Sequence, residues 1–285
     1  MPARLRRAGM WLTVMTLFES IFFWLAAAFY ILALLAHIIY ISGRLSYRYP
    51  FTLTLGGLLC QGLSIIIRWA AIGHPPVFGG FETAQADTFI ALVLTLAAGR
   101  YYEGLRSLGL FSISFSLIIL GQGLTLTTEH IPLTISERSL WVDLHAFLAY
   151  GGYGFLVLAA ILSLFIIYTH GAGSRTILPS TDIMDEYLFR FTTIGFLFLT
   201  AAIASGCYYS FRLFGYWWAW DPVDTLAAIV WLTYATIIHL RLFYGWKEGK
   251  AARLSLIAFL FLLFLYKGLV YLPPGATYHV FEIRF

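Results

Sequence analysis

Charged residues are scarce in this chain. Only 11% of its 285 residues are Asp, Glu, Lys or Arg, against 60% hydrophobic and 18% aromatic, and the mean hydropathy is +0.82. A soluble domain carries about 25% charged residues. So little polar surface cannot cover a water-soluble globule, and disorder, coiled coil and nucleic-acid binding are excluded with it. Cysteine is nearly absent. Cys60 and Cys207 both fall inside apolar runs, which argues against a disulfide framework, a Cys-x-x-Cys redox pair or a thiolate metal site. The chain has no internal repeat, low-complexity stretch, glycine-rich phosphate loop or Ser/His/Asp spacing. The net charge of +4 is small and its excess sits in short loops, as in membrane proteins.

What the chain has is apolar length. A membrane span needs about 20 mostly apolar residues to cross a core of about 30 Å. Eight runs qualify: 14–41, 51–72, 84–99, 106–126, 141–168, 190–211, 223–244 and 254–271. Apolar residues surround each run, so they read as spans rather than surface helices. The expectation is an all-α polytopic membrane protein of about eight transmembrane helices, one domain over residues 1–285. Glu19 in the first run predicts that this helix starts partly outside the lipid. The basic start, Met1-Pro-Ala-Arg-Leu-Arg-Arg, precedes a run too long for a signal h-region, so no cleavable signal is expected.

An even number of spans puts both termini on one face. The same face carries the loops 73–81 and 127–140 and a Trp-rich loop before span seven. With the termini outside, the inner side holds ten Lys/Arg and the outer side eight of the 18 in the chain. That small excess places the termini and the Trp-rich loop outside.

The Trp-rich run is Tyr216-Trp217-Trp218-Ala219-Trp220-Asp221-Pro222. Trp11, Trp69, Trp141 and Trp246 read as interfacial anchors. Three tryptophans in four residues ending in Asp-Pro are harder to read that way. Asp221 as N-cap and Pro222 as first helical residue predict a helix start, so the tryptophans form a loop leading into span seven. Their flat faces suit either an interfacial belt or a planar ligand. Asp221 and Asp224, three apart, suit either capping or an acid pair.

Ionisable groups inside a membrane are expensive and mark function by default. Of seven histidines, His239 lies inside span seven, His145 one turn into span five, and His279 a few residues after span eight. Counting spans puts His145, His279 and the Trp-rich loop on one face. Two imidazoles over an aromatic platform are what a bis-histidine haem needs. His37 and His239 both lie near the opposite ends of their spans. They could share a second haem, or His37 could be a structural, hydrogen-bonded residue. The chain has no Cys-x-x-Cys-His and so does not itself carry covalently attached haem.

The segment Gly215-Tyr-Trp-Trp-Ala-Trp-Asp-Pro-Val-Asp-Thr, followed by Trp231-Leu-Thr-Tyr-Ala-Thr-Ile-Ile-His-Leu-Arg, resembles the tryptophan-rich "WWD" domain of haem-handling membrane proteins. Within that group it is most similar to the CcsA (ResC) family of the System II cytochrome c maturation pathway. Trp218, Trp220, Asp221, Pro222 and Thr225 match the family pattern, the whole Trp-rich segment spans 208–226, and His239 sits where the family has its intramembrane histidine. His145 and His279 occupy the places of the two external histidines. The segment Gly73-His-Pro-Pro-Val-Phe-Gly-Gly-Phe-Glu-Thr resembles the family's external loop before span three.

The resemblance implies non-covalent haem b held by His145 and His279, with Trp217, Trp218, Trp220 and Asp221 around the ring. It implies a second haem site at His239, completed by a CcsB (ResB)-like membrane partner. It further implies passage of haem outward and its joining to the Cys-x-x-Cys-His thiols of an apocytochrome c, in a bacterial cytoplasmic membrane. The chain departs from the pattern at Phe214, in place of the first Trp, at Val223-Asp224, in place of Lys-Glu, and at Phe211-Arg212, in place of Asn-Glu. Arg212 remains able to fork onto a haem propionate. A related HemX-type regulator of haem synthesis is the alternative reading, and a small-solute permease a more distant one.

Overall fold

Backbone groups in lipid have no water to bond, so apolar runs satisfy them internally as helices. The protein, described here as a computed structural model over residues 3–126, 128–129, 133, 138–172 and 178–265, follows that rule. Its helices are α1 (Ala3–Ile41), α2 (Arg48–Ile72), α3 (Gly80–Tyr101), α4 (Leu108–Leu124), α5 (Leu140–Ala172), α6 (Thr181–Phe214), α7 (Pro222–Tyr244) and α8 (Glu248–Leu263), with a 3-10 turn at Glu103–Ser107. No strand occurs among the described residues. Seven of these helices are long and apolar enough to cross a membrane. The rest of the expected eighth span lies outside the described residues. The chain is an all-α polytopic membrane protein.

Two helices start well before the expected positions, α1 at Ala3 and α6 at Thr181. In α6 the first turns carry Asp182, Asp185, Glu186 and Arg190, which read locally as loop. Three of these four charges are paired within the fold. Glu186 pairs with Arg190 at 2.8 Å, and buried Asp185 receives Arg241 from α7.

The helices alternate in direction. The α2–α3, α4–α5 and α6–α7 connections share one face, here the Trp face. The α1–α2, α3–α4, α5–α6 and α7–α8 connections share the opposite face. α5 is the hub, packed on α6, α8, α3 and α4. Leu156, Leu158, Leu162, Ile166, Met184 and Tyr234 are fully buried around it. Small residues allow the closest approach, as is usual between membrane helices. A Cβ on Gly152 would lie 3.3 Å from the Gly195 carbonyl, and one on Gly195 would lie 2.7 Å from Leu156.

A second core joins α1–α4 around Tyr30, Leu92, Ile113 and Leu120. A polar rung crosses it. The Tyr30 hydroxyl donates to Gln61 Oε1 at 2.5 Å, and Gln61 Nε2 donates to the Gln85 carbonyl and Thr88 Oγ1, both at 2.9 Å.

Near the Trp face the same sub-bundle holds a buried ion cluster. Arg68 of α2 is 2% exposed. Its Nη1 reaches Glu19 of α1 and its Nε reaches Glu82 of α3, each at 2.8 Å. It also donates to the Thr128 and Glu129 carbonyls beyond α4, both at 3.1 Å. Glu19 is thus inside the bundle, 6% exposed. Arg68 and Arg241 are both ion-paired within the fold, so neither belongs in a count of loop charge. Removing one from each side leaves nine against seven.

Candidate functional site on the Trp face

The Trp-rich loop is built by its two ends. α6 stops at Gly215, whose φ of +82° closes the helix with its N–H on the Phe211 carbonyl. Glycine takes that conformation without steric cost. α7 starts as the sequence predicts, with Pro222 at its first turn and Asp221 as N-cap. Asp221, 6% exposed, accepts the Asp224 N–H at 2.8 Å. The Asp224 carboxylate reaches back to the Ala219 N–H at 3.0 Å. Asp221 thus caps the first turn of α7 and Asp224 holds the loop backbone, so the capping role accounts for the pair.

This double clamp forces strain onto one residue. Trp220 has a φ of +58°, a left-handed conformation rare for a bulky side chain. It projects the indole outward, 75% exposed, with its edge to Trp218 at 6.0 Å and 74°. Such strain persists only where surrounding structure imposes it, and it clusters at functional sites.

The other rings form a wall. Trp217 stacks on Phe211 at 4.6 Å and 12°, and lies 6.2 Å from Tyr208. Tyr208 in turn meets Trp141 of α5 at 4.3 Å. Trp141 is thus part of this wall and not only an interfacial anchor. Trp218 carries an Nε1–H that is buried with no hydrogen-bond partner among the described residues. Arg212 is exposed one turn above Tyr208, and its Nη1 donates to the Tyr208 oxygen at 3.4 Å.

His145 lies against the same wall. It stands four residues after Trp141, on the same side of α5. Its Nδ1 donates to the Ala202 carbonyl of α6 at 2.7 Å. A carbonyl only accepts, so Nδ1 carries a proton; in the neutral ring the lone pair is then on Nε2, the tautomer of a metal-ligating imidazole. Gly206 makes the approach possible, since a Cβ there would lie 2.9 Å from His145 Nδ1. Tyr208 and Phe211 fall inside the Trp-rich segment 208–226 read from the sequence, whereas Trp141 and Gly206 do not stand out there as site components. The four-residue spacing of Trp141 and His145 was the available signal.

The remaining candidates separate. His279 lies outside the described residues. His239 is exposed on the outer surface of α7, stacked on Phe243 at 4.5 Å. His37 is 1% exposed. Its Nδ1 lies 3.0 Å from the Ala33 carbonyl, and its Nε2 is pressed on Gly109 of α4, where a Cβ would lie 2.1 Å away. α1 packs on α2 and α4, whereas α7 packs on α6 and α8. The structure does not bring His37 and His239 together, and His37 is enclosed by helix packing.

Comparison with known proteins agrees with this architecture. Residues 10–276 match the family model described as cytochrome C assembly protein. The cytochrome c biogenesis protein CcsA of Prochlorococcus marinus strain AS9601 is 26% identical over 245 residues, covering 75% of this chain and 78% of that protein. CcsA of strain MIT 9301 is 27% identical over 248 residues, with the same coverage.

Proposed function

This chain belongs to the cytochrome C assembly protein family, and from that premise we propose that it carries haem b to the Trp face and presents it there to an apocytochrome c. Cytochrome c biogenesis and an integral membrane location follow from the family and the helices. The observation that carries the finer reading is His145, held by its Nδ1 on the Ala202 carbonyl of α6 beside a wall of four rings.

When bound, haem would supply an iron for imidazole ligands and vinyl groups for addition of cysteine thiols. The chain supplies position. His145 and His279 would hold the iron. Trp217, Trp218 and Trp220 flank the ring and keep water from it. Arg212 and the Trp218 Nε1–H offer donors for propionates, a guanidinium being suited to carboxylate. Asp221 keeps the loop in place through its cap. The thiols of the Cys-x-x-Cys-His motif then meet an oriented acceptor, and orientation is the main contribution a protein can make to such a step.

His239 serves an inner haem site. It sits in an exposed stripe of α7 with Ile229, Leu232, Thr236 and Phe243, a face fitted to a CcsB (ResB)-like membrane partner that brings the second ligand. The Trp face is extracytoplasmic in a bacterial cytoplasmic membrane. The test is maturation in cells that lack their own copy of this protein. His145→Ala and His239→Ala should each abolish haem-stained c-type cytochromes while the protein itself accumulates. Full maturation with His145→Ala would refute the reading.

A further inference from the structure

α7 is the least enclosed of the long helices, with 17% of its most apolar window buried. Left-handed residues bound it at both ends: Gly215 and Trp220 before it, Gly245 (φ +64°) and Glu248 (φ +50°) after it. Packing holds its rotation only through one narrow stripe, Val230, Tyr234 and Ile237, which leads to Arg241. Three polar attachments reinforce it. The Asp221/Asp224 clamp fixes the Trp-face end. In the middle, Trp231 Nε1 donates to Thr200 Oγ1 of α6 at 2.9 Å.

The third attachment lies at the opposite face. Asp185 of α6, 4% exposed, accepts Arg241 Nη1 on Oδ2 and the Glu248 N–H on Oδ1, the latter at 2.6 Å. One carboxylate thus ties the end of α7 and the start of α8 to α6. Arg241 also donates to the Trp246 carbonyl at 3.4 Å, and its Nη2 lies 4.0 Å from Glu186.

His239 and Arg241 are two residues apart, about 200° around the helix. When Arg241 is drawn onto Asp185, His239 is turned to the outer surface, where the structure has it. We propose that Asp185, through Arg241, is the positioning residue that sets the orientation of His239 for its haem. The inference rests on His239 being an iron ligand, as above. The pair acts at a distance and touches no haem. It stabilises one rotation of α7 where lipid-facing residues would allow others.

The test uses protein purified with its haem from membranes, comparing wild type with His239→Ala, Asp185→Asn, Arg241→Gln and the conservative Asp185→Glu. Asp185→Asn and Arg241→Gln should shift the spectrum as His239→Ala does, and lower haem retention about tenfold, as loss of a group that orients a metal ligand does. Free imidazole should restore the six-coordinate spectrum in each, which it would not do for a collapsed fold. Asp185→Glu should be intermediate. A second readout needs no haem. With Cys60 and Cys207 replaced by Ser, a cysteine introduced at position 239 should react with a membrane-permeant maleimide at a rate changed severalfold by Asp185→Asn. If His239→Ala alters the spectrum and both latch variants leave spectrum and labelling unchanged, the inference is overturned. If His239→Ala itself changes nothing, the ligand reading falls and takes the inference with it.

Discussion

Replacing Arg68 should be among the most destabilising single substitutions outside the aromatic wall. Its guanidinium is 2% exposed and supplies four donor contacts, to Glu19, Glu82, Thr128 and Glu129. Arg68→Met fills similar volume but leaves two carboxylates facing each other and two carbonyls without this donor. Removing one partner of a buried ion pair costs about 3–5 kcal/mol, which is the expected loss; Thr128 and Glu129 are exposed, so their carbonyls can turn to water. Thermal unfolding in detergent, followed by loss of soluble monomer, should fall well below wild type. Arg68→Lys keeps the charge but cannot reach every acceptor, and should lie between. The decisive comparison is Glu19→Gln/Arg68→Met/Glu82→Gln, which removes the charges together and should recover much of the loss, because a neutral cluster no longer holds unpaired charge. If Arg68→Met alone is as stable as wild type, or the triple variant is no better than the single one, the argument fails.

Three other outcomes follow from the geometry. Gly206→Ala places a methyl 2.9 Å from His145 Nδ1, so it should reproduce the spectral change of His145→Ala at a normal protein level. Trp220→Gly relieves a φ of +58° at an exposed residue and should raise stability by about 1 kcal/mol while lowering haem retention; a drop in thermal midpoint would contradict the strain argument. Burial pushes the Tyr47 phenol up to about 12 from 10.0, with Arg106 pulling it down and Tyr40 pushing it up. The folded protein therefore holds this proton more tightly, and the stability it contributes is present below pH 10 and lost as pH rises toward 12. The difference between alkaline ultraviolet titrations of wild type and Tyr47→Phe should show no phenolate from this residue at pH 10.5.

Much of the fold can be read from apolar length alone, because lipid leaves the backbone little choice but helix. What the run lengths conceal is where charged turns belong to helices. Asp185 and Glu19 look like breaks or ends, yet their partners Arg241 and Arg68 lie 56 and 49 residues away. Pairing at such separation leaves no local trace. The loop was more legible: Asp221-Pro222 stated the start of α7, and the Asp221/Asp224 spacing matched the clamp. The wall was not, since Trp141 meets Tyr208 only because α5 packs along α6. His37 and His239 illustrate the converse, two histidines at similar depth that the bundle keeps on different helix pairs.

One spectrum tests the external haem site. Protein purified in detergent with its haem should show a Soret band and sharp reduced-state bands, and the His145→Ala/His279→Ala protein should lose or shift them while remaining folded. Identical spectra from the two proteins, or no haem in folded wild type even when produced together with a CcsB-like partner, would contradict it.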